Sequence, residues 1–217
     1  MRTIDALREL QRLEQPVLET SEAVARLGVS PVRTSQILRS LEDAGLVARL
    51  RHGLWLLEPD LDPFVIPPYL TSPFPAYVSL WSALSEHGMI EQLPRQVFVC
   101  SPGRTQQLRT TRAIFAIHHL APDVFGGYTG TSDRGYLATP EKALFDTVYL
   151  PLARRGQLFL PELELTTAFD RSELQRWIER IRAPWLRSAV MREVERLLAS
   201  RPMSTRRTSR ISSVEST

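Results

Sequence analysis

Cysteine, lysine and long apolar runs are what this chain has least of. Cys100 is the only cysteine in 217 residues, which excludes an internal disulfide and a cysteine metal cluster and leaves the thiol to pack as a small hydrophobe. Lys142 is the sole lysine among 27 basic residues. Arginine makes planar two-point contacts to phosphate and guanine that lysine cannot, yet a GC-rich genome produces the same skew, so the ratio alone carries no functional argument. There is no run of 18 apolar residues, and Met1-Arg2-Thr3-Ile4-Asp5 turns acidic before any signal-peptide core. The expectation is a soluble cytoplasmic protein with no membrane partner.

Catalytic signatures are missing too. No Gly-x-x-x-x-Gly-Lys-Ser/Thr loop leads to the one lysine, and a kinase glycine loop, His-Arg-Asp, Asp-Phe-Gly and Gly-x-Ser-x-Gly are all absent, which removes the standard phosphoryl-transfer and hydrolase scaffolds. Gly126-Gly127-Tyr128-Thr129-Gly130 lacks a clear strand-to-helix context and reads as a turn. His118 and His119 are neighbours on an expected strand and point to opposite faces, so they do not share a metal. Neither a metal nor a cofactor is expected.

What is present is an ordinary globular composition, 43% hydrophobic and 24% charged, with a formal charge of +3. That charge is unevenly placed. Residues 1–200 balance 23 basic against 23 acidic residues, whereas the last 17 hold four arginines against Glu215. A basic surface on the folded part must therefore come from arrangement.

The chain divides by composition. Six of the 16 prolines lie between Pro59 and Pro75, which marks 59–75 as a linker between a unit at 1–58 and another at 76–200. The tail 201–217, rich in Ser, Thr and Arg, is expected to be disordered. In the first unit Ile4, Leu7 and Leu10 recur at helical spacing. A second helix, capped by Thr20 or Ser21, ends at Gly28, and a third opens at Ser30-Pro31 and ends at Gly45. Val47–Leu50 and Leu54–Leu57 flank Arg51-His52-Gly53 as a hairpin. Three helices followed by a hairpin is the order of a winged helix-turn-helix.

On the third helix Thr34, Ile37, Leu38, Leu41 and Ala44 form the core arc. Val32, Ser35, Gln36 and Arg39 lie opposite, flanked by Arg33 and Ser40, and suit the major groove: glutamine pairs with adenine, arginine with guanine, and Val32 can meet a thymine methyl. Arg49, Arg51 and His52 sit at the hairpin turn, within reach of phosphate or the minor groove. From Arg26 to Trp55 five arginines face only Glu42 and Asp43.

In the second unit Ser79–His87 reads as a helix, Gln96–Cys100, Ala113–His119 and Gly135–Ala138 as strands, Thr139-Pro140 as a helix start, and Asp170 with Glu173 as a capping box. A last helix runs from Pro184. The fold class expected is α+β: a winged helix-turn-helix, then a mixed α+β domain with a helical C-terminal end.

Four blocks carry a resemblance: Tyr77 to Glu91, Pro94 to Val99, Gly126-Gly127-Tyr128, and Ala138-Thr139-Pro140-Glu141-Lys142-Ala143-Leu144-Phe145-Asp146. Together with His52-Gly53-Leu54-Trp55 closing the first unit, they resemble the AbiEi-type antitoxin family over about Leu18 to Leu150. The resemblance implies a DNA-binding antitoxin of a type IV toxin–antitoxin pair. Its first unit would bind inverted repeats in its own promoter as a repressor, with two copies, as a possible dimer, on double-stranded DNA. Its second would neutralise a nucleotidyltransferase-like toxin, through transient contact or none.

Two other classes stay open: a stand-alone winged-helix regulator whose second domain senses a ligand or dimerises, and an atypical phosphotransferase that modifies the toxin. For the latter Lys142 is the only lysine available to phosphate, with Asp146 or Glu141 as nearby carboxylates. The bland reading is an i, i+4 Lys142–Asp146 pair worth a few tenths of a kcal/mol. Arg187, Arg192 and Arg196 offer a second DNA or partner surface, or simply a solvated face.

Overall fold

A computed structural model of the chain describes residues 2–160 and 162–199. The tail expected to be disordered lies outside the described residues. The fold is mixed α+β.

Helices α1 (Thr3–Gln11), α2 (Thr20–Leu27) and α3 (Pro31–Asp43) pack on a three-stranded antiparallel sheet of β1 (Val17–Glu19), β2 (Ala48–Arg51) and β3 (Leu54–Leu56), ordered β1-β3-β2. The hairpin expected after α3 is present, and β1 adds a third strand too short to announce itself. Ser30 caps α3 by accepting from the Arg33 amide at 3.3 Å, and Pro31 takes the first position, where a missing N–H costs nothing. Gly28 closes α2 in the left-handed region at φ 64°.

Three local expectations change. Glu19, not Thr20 or Ser21, caps α2, through a reciprocal box with Glu22. Ala44 is exposed rather than core, because α3 ends at Asp43. Asp170 caps its helix through the Ser172 amide, but the Glu173 carboxylate turns away and accepts from Thr139 Oγ1 at 3.2 Å, so no capping box closes.

The first sheet is apolar on both faces. Leu18, Trp55 and Leu57 point toward α1–α3 and share a core with Leu10, Leu38 and Leu41. Val17, Leu50, Leu54 and Leu56 point the other way, as the period of two requires, into a second core with Ile66, Leu70, Val99, Phe115 and Ile117. The proline-rich stretch supplies part of that second core. Pro63–Val65 is a 3-10 turn and Pro67–Thr71 forms α4, with Ile66 and Leu70 buried. Pro63, Pro67 and Pro68 occupy helix-start positions, and this part of the stretch read from composition as a linker is packed.

The second sheet has six strands in the order β6-β7-β5-β4-β9-β8: β4 (Tyr77–Val78), β5 (Val97–Ser101), β6 (Gln106–Arg109), β7 (Ile114–His119), β8 (Tyr128–Thr131) and β9 (Gly135–Ala138). Pairs β4–β9 and β5–β7 are parallel and the others antiparallel. Of Gly126 to Gly130, expected as a turn, Tyr128 to Gly130 thus lie in an edge strand. Val97 and Val99 face the core shared with the first sheet. Cys100 faces the opposite core, which α5 (Leu80–Glu86), α6 (Pro140–Ala153), α7 (Arg171–Glu179) and α8 (Pro184–Ala199) complete. Helix α6 is buried almost all round, with Glu141 to Val148 inaccessible in succession.

Candidate nucleic-acid interface

The outer arc of α3 is open to solvent. Val32 is 69% exposed, and Arg33, Gln36, Arg39 and Ser40 are exposed beside it. Arg33 Nη1 donates to Gln36 Oε1 at 3.3 Å, which orients the side-chain amide, while Ser40 Oγ donates to the main-chain carbonyl of Gln36 at 3.0 Å.

Ser35 and Arg39 line a concavity with Arg49, His52 and Gly53 of the hairpin, floored by Thr20 and Trp55 and enclosing about 170 Å³. Trp55 Nε1 donates to Thr20 Oγ1 at 2.9 Å, and the Arg49 guanidinium lies 5.6 Å from the indole centroid. Arg49 Nη2 donates to His52 Nδ1 at 3.2 Å. Helix arc and hairpin, far apart in sequence, therefore share one cationic hollow. Thr20 and Trp55 escaped the sequence reading; the signal was the alternation that sends Trp55 to the helix side of β3.

Two expected members sit elsewhere. Arg26 is committed to α1, donating to the Glu9 carbonyl and carboxylate, each at 3.1 Å, so it adds nothing to the local excess. Arg51, across a register shift from Arg49, lines a different cavity beside Leu70 and Arg104. Among the described residues Arg33, Arg39, Arg49 and Arg51 form no ion pair.

The second candidate set is closed to solvent. Lys142 and Asp146 are both fully buried and paired through Nζ and Oδ1. Tyr77 Oη and Ser79 Oγ donate to Asp146 Oδ2 at 3.0 and 2.7 Å. The ammonium lies 4.8, 4.9 and 5.5 Å from the ring centroids of Trp177, Phe145 and Tyr77. Gly127 completes this cage: a Cβ there would stand 2.5 Å from Trp177 and 3.0 Å from Lys142. Burial, then the charge of Asp146, holds the Tyr77 hydroxyl well above its ordinary pKa, and the same two causes raise the Cys100 thiol. Both remain protonated. Glu141 is 3% exposed and accepts from the Asp170 amide at 2.7 Å. All three side chains are buried, and the pair of Lys142 and Asp146 is part of an internal network rather than an isolated i, i+4 contact.

Of the C-terminal arginines, Arg187 donates through Nε and Nη2 to the Ile181 carbonyl at 2.9 and 2.6 Å, tying α8 to the end of α7. Arg196 pairs with Glu193, and Arg192 is exposed. His118 is half-buried, stacked 6.1 Å from Phe98, and takes a hydrogen bond from Arg154 on Nδ1. Burial, then the Arg154 charge, lowers its pKa to about 4. Among the described residues no cluster of three His, Cys, Asp or Glu could hold a metal, and no helix is long and apolar enough to cross a membrane.

Residues 5–57 match the family model described as "Transcriptional regulator, AbiEi antitoxin". The match runs from inside α1 to just past β3, so it covers the whole of the helix arc and hairpin, and it supports a role as an antitoxin and transcriptional regulator. The blocks between Tyr77 and Asp146 lie outside the matched residues. No curated protein matches the chain.

Proposed function

We propose that the chain is a winged-helix autorepressor and antitoxin that works in the cytoplasm. Helix α3 enters the major groove with Val32, Gln36 and Arg39 toward base edges, while Arg33, Ser35 and Ser40 meet flanking phosphates and Arg49, Arg51 and His52 the backbone beside the groove. The carrying observation is the hollow shared by Ser35 and Arg39 of α3 and Arg49 and His52 of the hairpin: a recognition helix and a basic hairpin on one face, with no acidic group to neutralise them.

The targets are inverted repeats in its own promoter, two copies per operator. The second unit neutralises a nucleotidyltransferase-like toxin without chemistry at Lys142, Asp146 or Glu141, whose burial argues against it. Arg192 is offered for a partner surface; Arg187, spent on the Ile181 carbonyl, and Arg196, paired with Glu193, are not.

Fluorescence anisotropy with full-length protein and its promoter tests the DNA reading. Gln36→Ala should erase about tenfold or more of the preference for operator over random DNA, whereas Arg49→Ala should weaken both alike and lower the salt slope by about one. Unchanged operator affinity in Gln36→Ala and Arg39→Ala variants would overturn it. Growth rescue on co-expression with the adjacent reading frame tests the antitoxin half.

A further inference from the structure

A cavity larger than the hollow beside the helix arc lies elsewhere. It encloses about 520 Å³ between the hairpin and the second sheet, lined by Arg51, Leu70, Phe74, Arg104, Gln106 and Leu108, among others. That volume lies in the range of small-molecule sites, and an apolar lining with a few convergent polar groups is their usual make-up.

Among the described residues its two arginines, Arg51 and Arg104, carry no ion pair, and the stretch from 92 to 122 contains no Asp or Glu while holding Arg95, Arg104, Arg109 and Arg112. Two exposed arginines lining one concavity offer paired planar forks to an anion such as phosphate. The apolar side is equally specific. Phe74 is 49% exposed and lies over Gly103, where an added Cβ would stand 3.2 Å from its ring. A flat ring could lie between Phe74 and the side chains of Leu70 and Leu108.

We propose that this cavity binds a small organic phosphate with a flat apolar body, an aryl or nucleoside monophosphate, and that occupancy draws Arg51 away from DNA. The phosphate is held by Arg51 and Arg104, and the ring by Phe74. Arg51 belongs to both the hairpin and the cavity, so ligand and operator compete for one guanidinium. This second clause rests on the DNA reading above; the binding clause does not.

Calorimetric titration of the full chain with adenosine monophosphate, phenyl phosphate and inorganic phosphate separates the two. At least one ring-bearing phosphate should bind, with inorganic phosphate about tenfold weaker or more, and Arg104→Ala should weaken binding by at least about tenfold. If none of the three probes binds, or Arg104→Ala binds as the parent does, the site is overturned. Ligand at a concentration that fills the parent but leaves Arg104→Ala mostly empty should lower operator affinity by about tenfold in the parent and leave it unchanged in Arg104→Ala. An operator affinity indifferent to ligand in the parent overturns the competition. A chain that binds ligand but not operator DNA sinks the DNA reading and leaves the site standing.

Discussion

Cations on α3 and its hairpin and the single lysine on α6 obey opposite electrostatic rules. Arg33, Arg39, Arg49 and Arg51 stand at or near the surface without acidic partners, so their charge is available to whatever arrives. Lys142 has no exposed surface, one carboxylate and three aromatic faces around it, so its charge is already answered. A compensated charge inside a core specifies the fold around it; an uncompensated one at the surface specifies a ligand. The two groups look alike in sequence and differ only in what surrounds them.

The largest effect that would break this contrast lies in the core. Lys142→Met leaves Asp146 as a buried anion with only two hydroxyl donors, and should cost about 3–5 kcal/mol in denaturant unfolding, with the double change Lys142→Met/Asp146→Leu recovering much of it. A surface-like cost of a few tenths would mean that the pair is not sealed. Gly127→Ala drives a methyl into Trp177 at a φ of 70°, and should cost about 2–3 kcal/mol. In contrast, Arg39→Ala should leave the melting temperature within about 2 °C while costing about 1–3 kcal/mol in operator affinity.

The smallest effect is pH-dependent. His118 is neutral when folded, since its pKa of about 4 lies below that of the unfolded chain. The unfolded state therefore takes up a proton first as the solution is acidified. Stability from this site is complete above about pH 6.5 and falls between there and pH 4. Solvent screening at a half-buried position keeps the loss to about 1–2 kcal/mol, and His118→Phe should remove it from a pH series of melting curves.

Much of this was legible in the residues. Ser30-Pro31 and Thr139-Pro140 announce helix starts because cap chemistry is local, and the period of 3.6 sorts α3 into its two faces. The i, i+4 spacing of Lys142 and Asp146 is the same on a surface as in a core. What set α6 apart was Ala143-Leu144-Phe145 and Thr147-Val148, apolar or small on every side, a pattern that belongs to a buried helix. Pro63, Pro67 and Pro68 were opaque for a related reason: a proline at a helix's first turn and a proline in a spacer are spelled alike. The shared hollow and the junction cavity depend on contacts between distant segments, for which no short window carries a signal. Strand β6, Gln106-Gln107-Leu108-Arg109, has too little alternation to be heard.

Strand β3 belongs to two hydrophobic cores at once, Trp55 to one and Leu54 and Leu56 to the other. The hairpin that would meet DNA is thereby one wall of the neighbouring core, and it has no independent boundary at which it could be cut. Severing the chain after Leu57 would uncover Val17, Leu50, Leu54 and Leu56 as a greasy stripe. Such a head could not be lent to another protein by simple fusion: a descendant that exchanged it would have to inherit the matching surface of the body as well.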